Sequence, residues 1–240
     1  MTAPPSPPLV LSLFPGLGLL DAAFEEAGFC VVRGPDLIWG GDVHRFHPPA
    51  GRFDGVIGGP PCQTHSNASE IRGTSKVDLI PEFIRVVEAA KPAWTVMENV
   101  RGTLDHPDIP RSWYPAILRD WDCGGLTART RVFYTWPFML MAQGRRPGTP
   151  SKSVMASTWK RGKSSSSYVT DKGFLPGDLA PEEYARLQGA EDLAAPLIAH
   201  GAGKRFVVHC VGNGVPRAMG REIAHAVRST MYPEWREGAA

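Results

Sequence analysis

Residues 10–32 read VLSLFPGLGLLDAAFEEAGFCVV. The opening VLSLF (10–14) is short, mostly apolar and bounded by a turn signal, which predicts a buried strand. PGLG (15–18) is a glycine-rich turn, and LLDAAFEEAG (19–28) predicts a helix closed by Gly28. FCVV (29–32) then predicts a second strand. The same alternation continues downstream. FDGVIGG (53–59) reads as a strand and DLIPEFIRVVEAA (78–90) as a helix that stops before Lys91-Pro92. WTVMENV (94–100) and ARTRVFYTWPF (128–138) read as further strands. Two helical segments, PEEYARLQG (181–189) and PRAMGREIAHAVRS (216–229), close the chain. Strands alternating with helices, without internal repeats, predict an α/β fold with a mostly parallel central sheet.

The length of 240 residues suits one sizeable domain with a real core, or one domain and a small appendage. With 42% apolar and 21% charged residues, the composition is that of an ordinary globular protein. No apolar run is long enough to span a bilayer, and MTAPPSPP has neither the basic nor the apolar part of a secretion signal. It reads as a flexible leader over residues 1–8. Cys30, Cys62, Cys123 and Cys210 are scattered with no C-x-x-C pair, which argues against a metal site or a disulfide framework and suits a reducing cytoplasm. The net charge of +2 conceals an asymmetry, because residues 139–177 hold seven Lys/Arg against one acid, Asp171. A basic island of +6 on a body of −4 suits a polyanion partner, and equally a solvated loop.

In open α/β sheets, ligands sit beyond the carboxyl ends of the strands. The unusual residues of this chain fall there. PGLG lets the backbone approach a ligand at a helix N-terminus, although a plain strand-to-helix turn would look the same. Asp36, after the second strand, is placed to accept both hydroxyls of a ribose, and Asp42 to reach an adenine amino group; each alone also reads as a surface acid. GGPPCQTHS (58–66) holds Cys62 behind two prolines, a frame that suits an aimed nucleophile, where the alternative is a buried core thiol. Glu98 leaves a buried strand, where burial favours a protonated acid able to donate. Arg129 and Arg131 are two apart on a strand and so share a face, as a ligand clamp or a solvated edge.

Taken in order, LFPGLG (13–18), GGPPCQTHS (58–66), MENV (97–100), TARTRVF (127–133), EEYARLQG (182–189) and VGNGVP (211–216) closely resemble the DNA cytosine-5 methyltransferase family. The resemblance implies a Rossmann-like methyltransferase fold with S-adenosylmethionine as cofactor. The cofactor would lie over Phe14, Gly16, Gly18 and Leu19, near Pro60, with Asp36 and Asp42 on ribose and adenine and Asn213 and Val215 closing the pocket. It also implies that Cys62 adds to C6 of a flipped cytosine, that Glu98 binds the N3 edge, and that Arg129 and Arg131 hold the base and the sulfur loop. The implied organisation is a catalytic core over 9–138, a small target-recognition region over 139–177, and C-terminal helices over 178–240 that complete the core.

Several positions depart from the family pattern. Ser12 stands where the family has an acid, Thr64-His65 replace Pro-Phe, and Thr127 replaces Gln. The stretch between the second strand and Asp42 is short, which predicts the loss of one helix. The recognition region has only 39 residues. Its expected partner is double-stranded DNA, with Arg145, Arg146, Lys160, Arg161 and Lys163 on phosphates, Trp159 and Tyr168 stacking or wedging, and Gln63 and Ser66 facing the nucleic acid. So small a module predicts a short or loose target. The same chemistry on tRNA, RNA or a free cytosine nucleotide, or an idle nucleic-acid-binding relative, are the alternatives. The expectation is a cytoplasmic monomer of a bacterial or phage-infected cell, without metal.

Overall fold

The computed structural model describes residues 6–61, 77–141, 144–155 and 179–235. Its elements are β1 (Leu9–Leu13), α1 (Leu19–Glu26), β2 (Cys30–Arg33), β3 (Gly55–Gly58), α2 (Ile80–Ala90), β4 (Trp94–Asn99), β5 (Tyr114–Arg119) and β6 (Thr130–Trp136), then α3 (Pro181–Gln188), α4 (Glu191–Ala199), α5 (Lys204–Asn213) and α6 (Arg217–Met231). The six strands form one sheet in the order β2-β1-β3-β4-β6-β5. Strands β1 to β4 pair in parallel. Strand β6 runs antiparallel to both β4 and β5. The chain thus has the expected α/β architecture with a mostly parallel sheet.

Alternation along the strands divides the core. Val10, Ile57, Trp94, Val96 and Phe133 point to one face, where α1 and α6 cover them with Phe24, Met219, Ile223 and Val227. Leu11, Leu13, Val56, Met97, Val132 and Tyr134 point to the other, against Ile80, Phe83, Val86 and Val87 of α2. A third cluster joins α3, α4 and α5 to Leu17 of the glycine turn and Leu19 of α1. That cluster explains a correction. The sequence predicts two helices after the basic stretch, and the described residues there form four. α4 contains Pro196, and α5 carries Val207, Val208 and Val211, so local propensity argues against both. Burial of Ala194, Val207, Val208, Cys210 and Val211 in a shared core outweighs it. Strand β5, which no sequence signal predicts, forms the sheet edge and carries Pro115. Between β2 and β3 there is no α-helix, only the 3-10 turns Leu37–Trp39 and Val43–Arg45.

An ion cluster ties the ends of the fold. Arg217 of α6 donates to Glu26 of α1 at 2.6 and 2.9 Å and to Asp192 of α4 at 2.9 and 3.0 Å. Arg221 reaches Glu26 at 2.6 Å. The hydrogen bond from Arg221, with those from Arg217, holds the Glu26 carboxyl at about 2, below its usual 4.5. A depressed carboxylate contributes stability above its unfolded pKa and loses it as pH falls through the folded one. The thermal midpoint of the wild type is therefore expected to exceed that of Glu26→Gln at pH 7. The gap should close between pH 4.5 and 2, as followed by circular dichroism.

Candidate active site

The ends of β1, β3 and β4 meet on one edge of the sheet. After β1 the chain turns sharply: Phe14 and Gly16 both sit at φ 55, and Gly18 at φ 87. Gly18 N–H closes the turn onto Pro15 O at 2.8 Å, and no side chain caps the N-terminus of α1. Asp36 follows β2 and accepts Gly16 N–H and Ile38 N–H, each at 2.8 Å. Each carboxylate oxygen keeps a second lone pair for another donor. Among the described residues, a Cβ on Gly16 would meet nothing within 4 Å, so they leave the space above it open. At Gly18 a Cβ would collide with the Arg33 guanidinium, which also makes an ion pair with buried Asp21 at 3.0 Å. Asp21 accepts a hydrogen bond from Ser12 Oγ at 2.5 Å, so the Ser12 departure is matched by a carboxylate from α1. Burial raises the Asp21 pKa, with Ser12 and Arg33 opposing.

VGNGVP lies against this turn. Leu19 packs on Gly214, and buried Gln188 donates to Val211 O and Gly214 O at 3.0 and 3.4 Å. Val215 is buried in the core, while Asn213 is exposed with its amide beside His209. Asp42 caps the second 3-10 turn by accepting His44 N–H. Leu37 and Trp39 flank the Asp36 turn and are 75% and 56% exposed, so an apolar rim borders the open glycine. Acid, open backbone, uncapped helix start and aromatic rim fit a nucleoside bearing an amino-acid tail.

The second half of the site is polar and buried. Glu98 ends β4 at 8% exposure, and Arg131 of β6 meets its carboxylate at 2.7 Å. Asn99 donates to Pro60 O at 3.1 Å, fixing the backbone that leads into PPCQ. Leu79 N–H bonds Pro61 O at 3.0 Å, which brings residues 61 and 79 together. Arg129 is 4% exposed, donates to Val154 O at 2.7 Å, and its Nε has no hydrogen-bond partner among the described residues. Burial, then the Arg131 charge, lowers its pKa, against the pull of Glu98 and Asp120. A buried cation with a spare N–H is ready for an incoming oxygen. Thr127, at the position where the family has glutamine, donates both Oγ1 and N–H to Asp120 at 2.6 and 2.8 Å and fixes the start of β6. No sequence signal pointed to Asp120.

Arg129 and Arg131 therefore do flank Glu98, beside Pro60. Arg145 is exposed. Arg146 instead stacks at 4.1 Å over Trp121 and donates to Gly125 O, so its guanidinium fastens the described part of the basic segment to the β5–β6 turn. Cys62, Gln63, Ser66, Trp159, Lys160, Arg161, Lys163 and Tyr168 lie outside the described residues. Among the described residues, no cluster of His, Cys, Asp and Glu could hold a metal, and no helix is long and apolar enough to cross a membrane.

The chain is similar to known methyltransferases. The profile of the C-5 cytosine-specific DNA methylases matches residues 41–136. The type II methyltransferase M.FnuDI of Fusobacterium nucleatum is 32% identical over 158 residues, covering 52% of this chain and 45% of that protein. The type II methyltransferase M.HgiGI of Herpetosiphon aurantiacus is 31% identical over 112 residues, 38% of this chain and 88% of that protein. The matched stretch thus spans less than half of M.FnuDI. In fold, the Entamoeba histolytica methyltransferase EhMeth superposes with a TM-score of 0.61 at 13% identity, over 95% of this chain and 99% of that one.

Removing one partner of the Glu98–Arg131 pair leaves a largely buried charge uncompensated. Glu98→Gln is expected to lower the unfolding free energy by about 3 kcal/mol in urea titrations. Adding Arg131→Met should recover most of that loss without restoring the site.

Proposed function

The chain belongs to the C-5 cytosine-specific DNA methylase family, and on that basis we propose that it transfers a methyl group to C5 of cytosine in double-stranded DNA. The observation that carries this reading is the convergence of Glu98, Arg131 and under-satisfied Arg129 beside Pro60, at the strand exits next to the Asp36–Gly16 turn. The family's methyl donor is S-adenosylmethionine, which when bound supplies an electrophilic methyl group. Phe14, Gly16, Gly18, Leu19, Asp36, Asp42, Pro60, Asn213 and Val215 are the residues that would line its place.

On this reading Cys62 attacks C6 of a base turned out of the duplex, forming a carbon–sulfur bond and pushing electron density to C5. Glu98 holds the N3 edge, which makes the charge at C5 tolerable. Arg131 keeps the Glu98 carboxylate in place, and the free N–H of Arg129 supports the base or the sulfur loop. C5 takes the methyl group, its proton leaves to solvent, and the re-forming C5–C6 double bond expels the Cys62 thiolate. The test is labelled-methyl transfer over duplex DNA, tRNA and dCMP. Transfer to duplex DNA alone is expected, together with its loss in Cys62→Ala at unchanged cofactor affinity and a covalent adduct with 5-fluorocytosine DNA. A near-native rate in Cys62→Ala, or transfer confined to tRNA or dCMP, would sink the reading.

Residues 139–177 serve as the nucleic-acid reader. Supporting this, Ser151 N–H bonds Leu126 O and Val154 O accepts from Arg129, so the segment runs past the site before residue 156. Neutralising Arg145, Lys160, Arg161 and Lys163 together is expected to weaken binding to all sequences alike. The slope of log affinity against log salt should also flatten by roughly 0.9 for each phosphate that is no longer neutralised. Gel-shift titrations at several salt concentrations measure both.

A further inference from the structure

The segment between β2 and β3 holds its shape with little secondary structure of its own. Its 3-10 turn Val43–Arg45 is capped by Asp42, and only Val43 of the turn is buried. The turn's outward carbonyls are taken by one side chain from α2. Arg85 Nη2 donates to Val43 O at 2.8 Å, and Nη1 and Nη2 both reach Phe46 O at 3.2 Å. Arg85 Nε is fixed in turn by Glu82 Oε2 at 2.8 Å, one helical turn before it on α2. The other Glu82 oxygen faces His44 Nδ1 at 3.4 Å. A planar guanidinium with five donors suits this role, because it satisfies two carbonyls and a carboxylate in one plane. A flexible ammonium could hold one carbonyl at a time.

We infer that Arg85 is a positioning residue for the nucleoside end of the cofactor, fixing the Asp42 carboxylate where it accepts the adenine 6-amino group without touching the ligand itself. The inference rests on the reading above that Asp42 lies on adenine. Asp42 caps a turn of three residues, so its direction is set by what holds that turn. The backbone on the Asp36 side is already fixed, since Gly41 N–H bonds Asp36 O at 2.9 Å. Freed from Arg85, the turn would keep its attachment at Gly41 and the core packing of Val43 and Phe46, and lose the guanidinium that ties the Val43 and Phe46 carbonyls to α2, just beyond the residue that would read the base.

The experiment is calorimetric binding of S-adenosylhomocysteine and of S-inosylhomocysteine, in which a carbonyl replaces the 6-amino group. Wild type, Arg85→Met, Arg85→Lys, Asp42→Ala and the Asp42→Ala/Arg85→Met double variant are compared, with thermal midpoints checking that each is folded. Arg85→Met is expected to weaken the adenosyl ligand about tenfold and to leave the inosyl ligand nearly unchanged. Arg85→Lys should recover part of the affinity. The double variant should be no weaker than Asp42→Ala to within about twofold, because both changes act on the same hydrogen bond. Equal weakening of both ligands, additive effects in the double variant, or wild-type binding by Arg85→Met would each overturn the positioning role. If instead Asp42→Ala keeps the wild-type preference for the adenosyl ligand, the assignment of Asp42 to adenine is what fails, and the role of Arg85 falls with it. Absence of binding by the wild type would overturn the cofactor reading as well.

Discussion

Strand β6 runs against β4, and the site depends on that reversal. In a wholly parallel sheet the end of one strand lies beside the end of the next. Here the beginning of β6 lies beside the end of β4, with Val132 opposite Asn99 and Phe133 opposite Glu98. The residues just upstream, Arg129 and Arg131, therefore arrive where Glu98 emerges from the core. Their alternation on the strand turns both to the same side, and one takes the carboxylate while the other takes Val154 O. Three charged groups this deep would be unfavourable if any were alone. The Glu98–Arg131 pair, the Val154 carbonyl and the nearby Asp120 compensate most of that charge, and among the described residues Arg129 Nε remains unsatisfied.

The other side of the site is built from backbone. Left-handed residues in the turn after β1, together with a carboxylate from the end of β2, leave an open surface above Gly16. The helical layer α3–α5 closes this side through Gln188, which reaches two carbonyls of the VGNGVP stretch. The two halves differ in how they are held. The arginine half is locked into the sheet register. The glycine half depends on side chains from α2 and α3 reaching across to hold a backbone with little regular structure.

That difference sets what could be read from the sequence. Strands buried on both faces announce themselves as apolar runs, so β1, β3, β4 and β6 were legible, and the glycine turn, Glu98 and the arginine pair with them. β5 was not. Its YPAILR run has a proline and lies at an edge where Tyr114 and Ile117 stay 42% and 47% exposed, so neither periodicity nor composition marked it. α4 and α5 were obscured by Pro196 and by valines, since their stability comes from packing on residues far away in the chain. Supporting contacts were the least legible part. Asp120 under Thr127, Arg85 on the Val43 turn and Arg217 between Glu26 and Asp192 are pairings of common residue types, and no local pattern marks them.

The Arg217–Glu26 contact joins residues 191 positions apart, and α1 lies against α6 along its length. During translation, β1, α1 and β2 leave the ribosome long before the helix that covers Phe24 and answers Glu26. At about 5–20 residues per second, the interval is roughly ten to forty seconds. For that time the face of the nascent sheet that α1 and α6 share lacks the cover of α6, and Gly220, which lets α6 pack closely on Ala23, has not been made. Synthesis that stalls before residue 217 yields a sheet with one face incompletely covered, a substrate for chaperones and proteases.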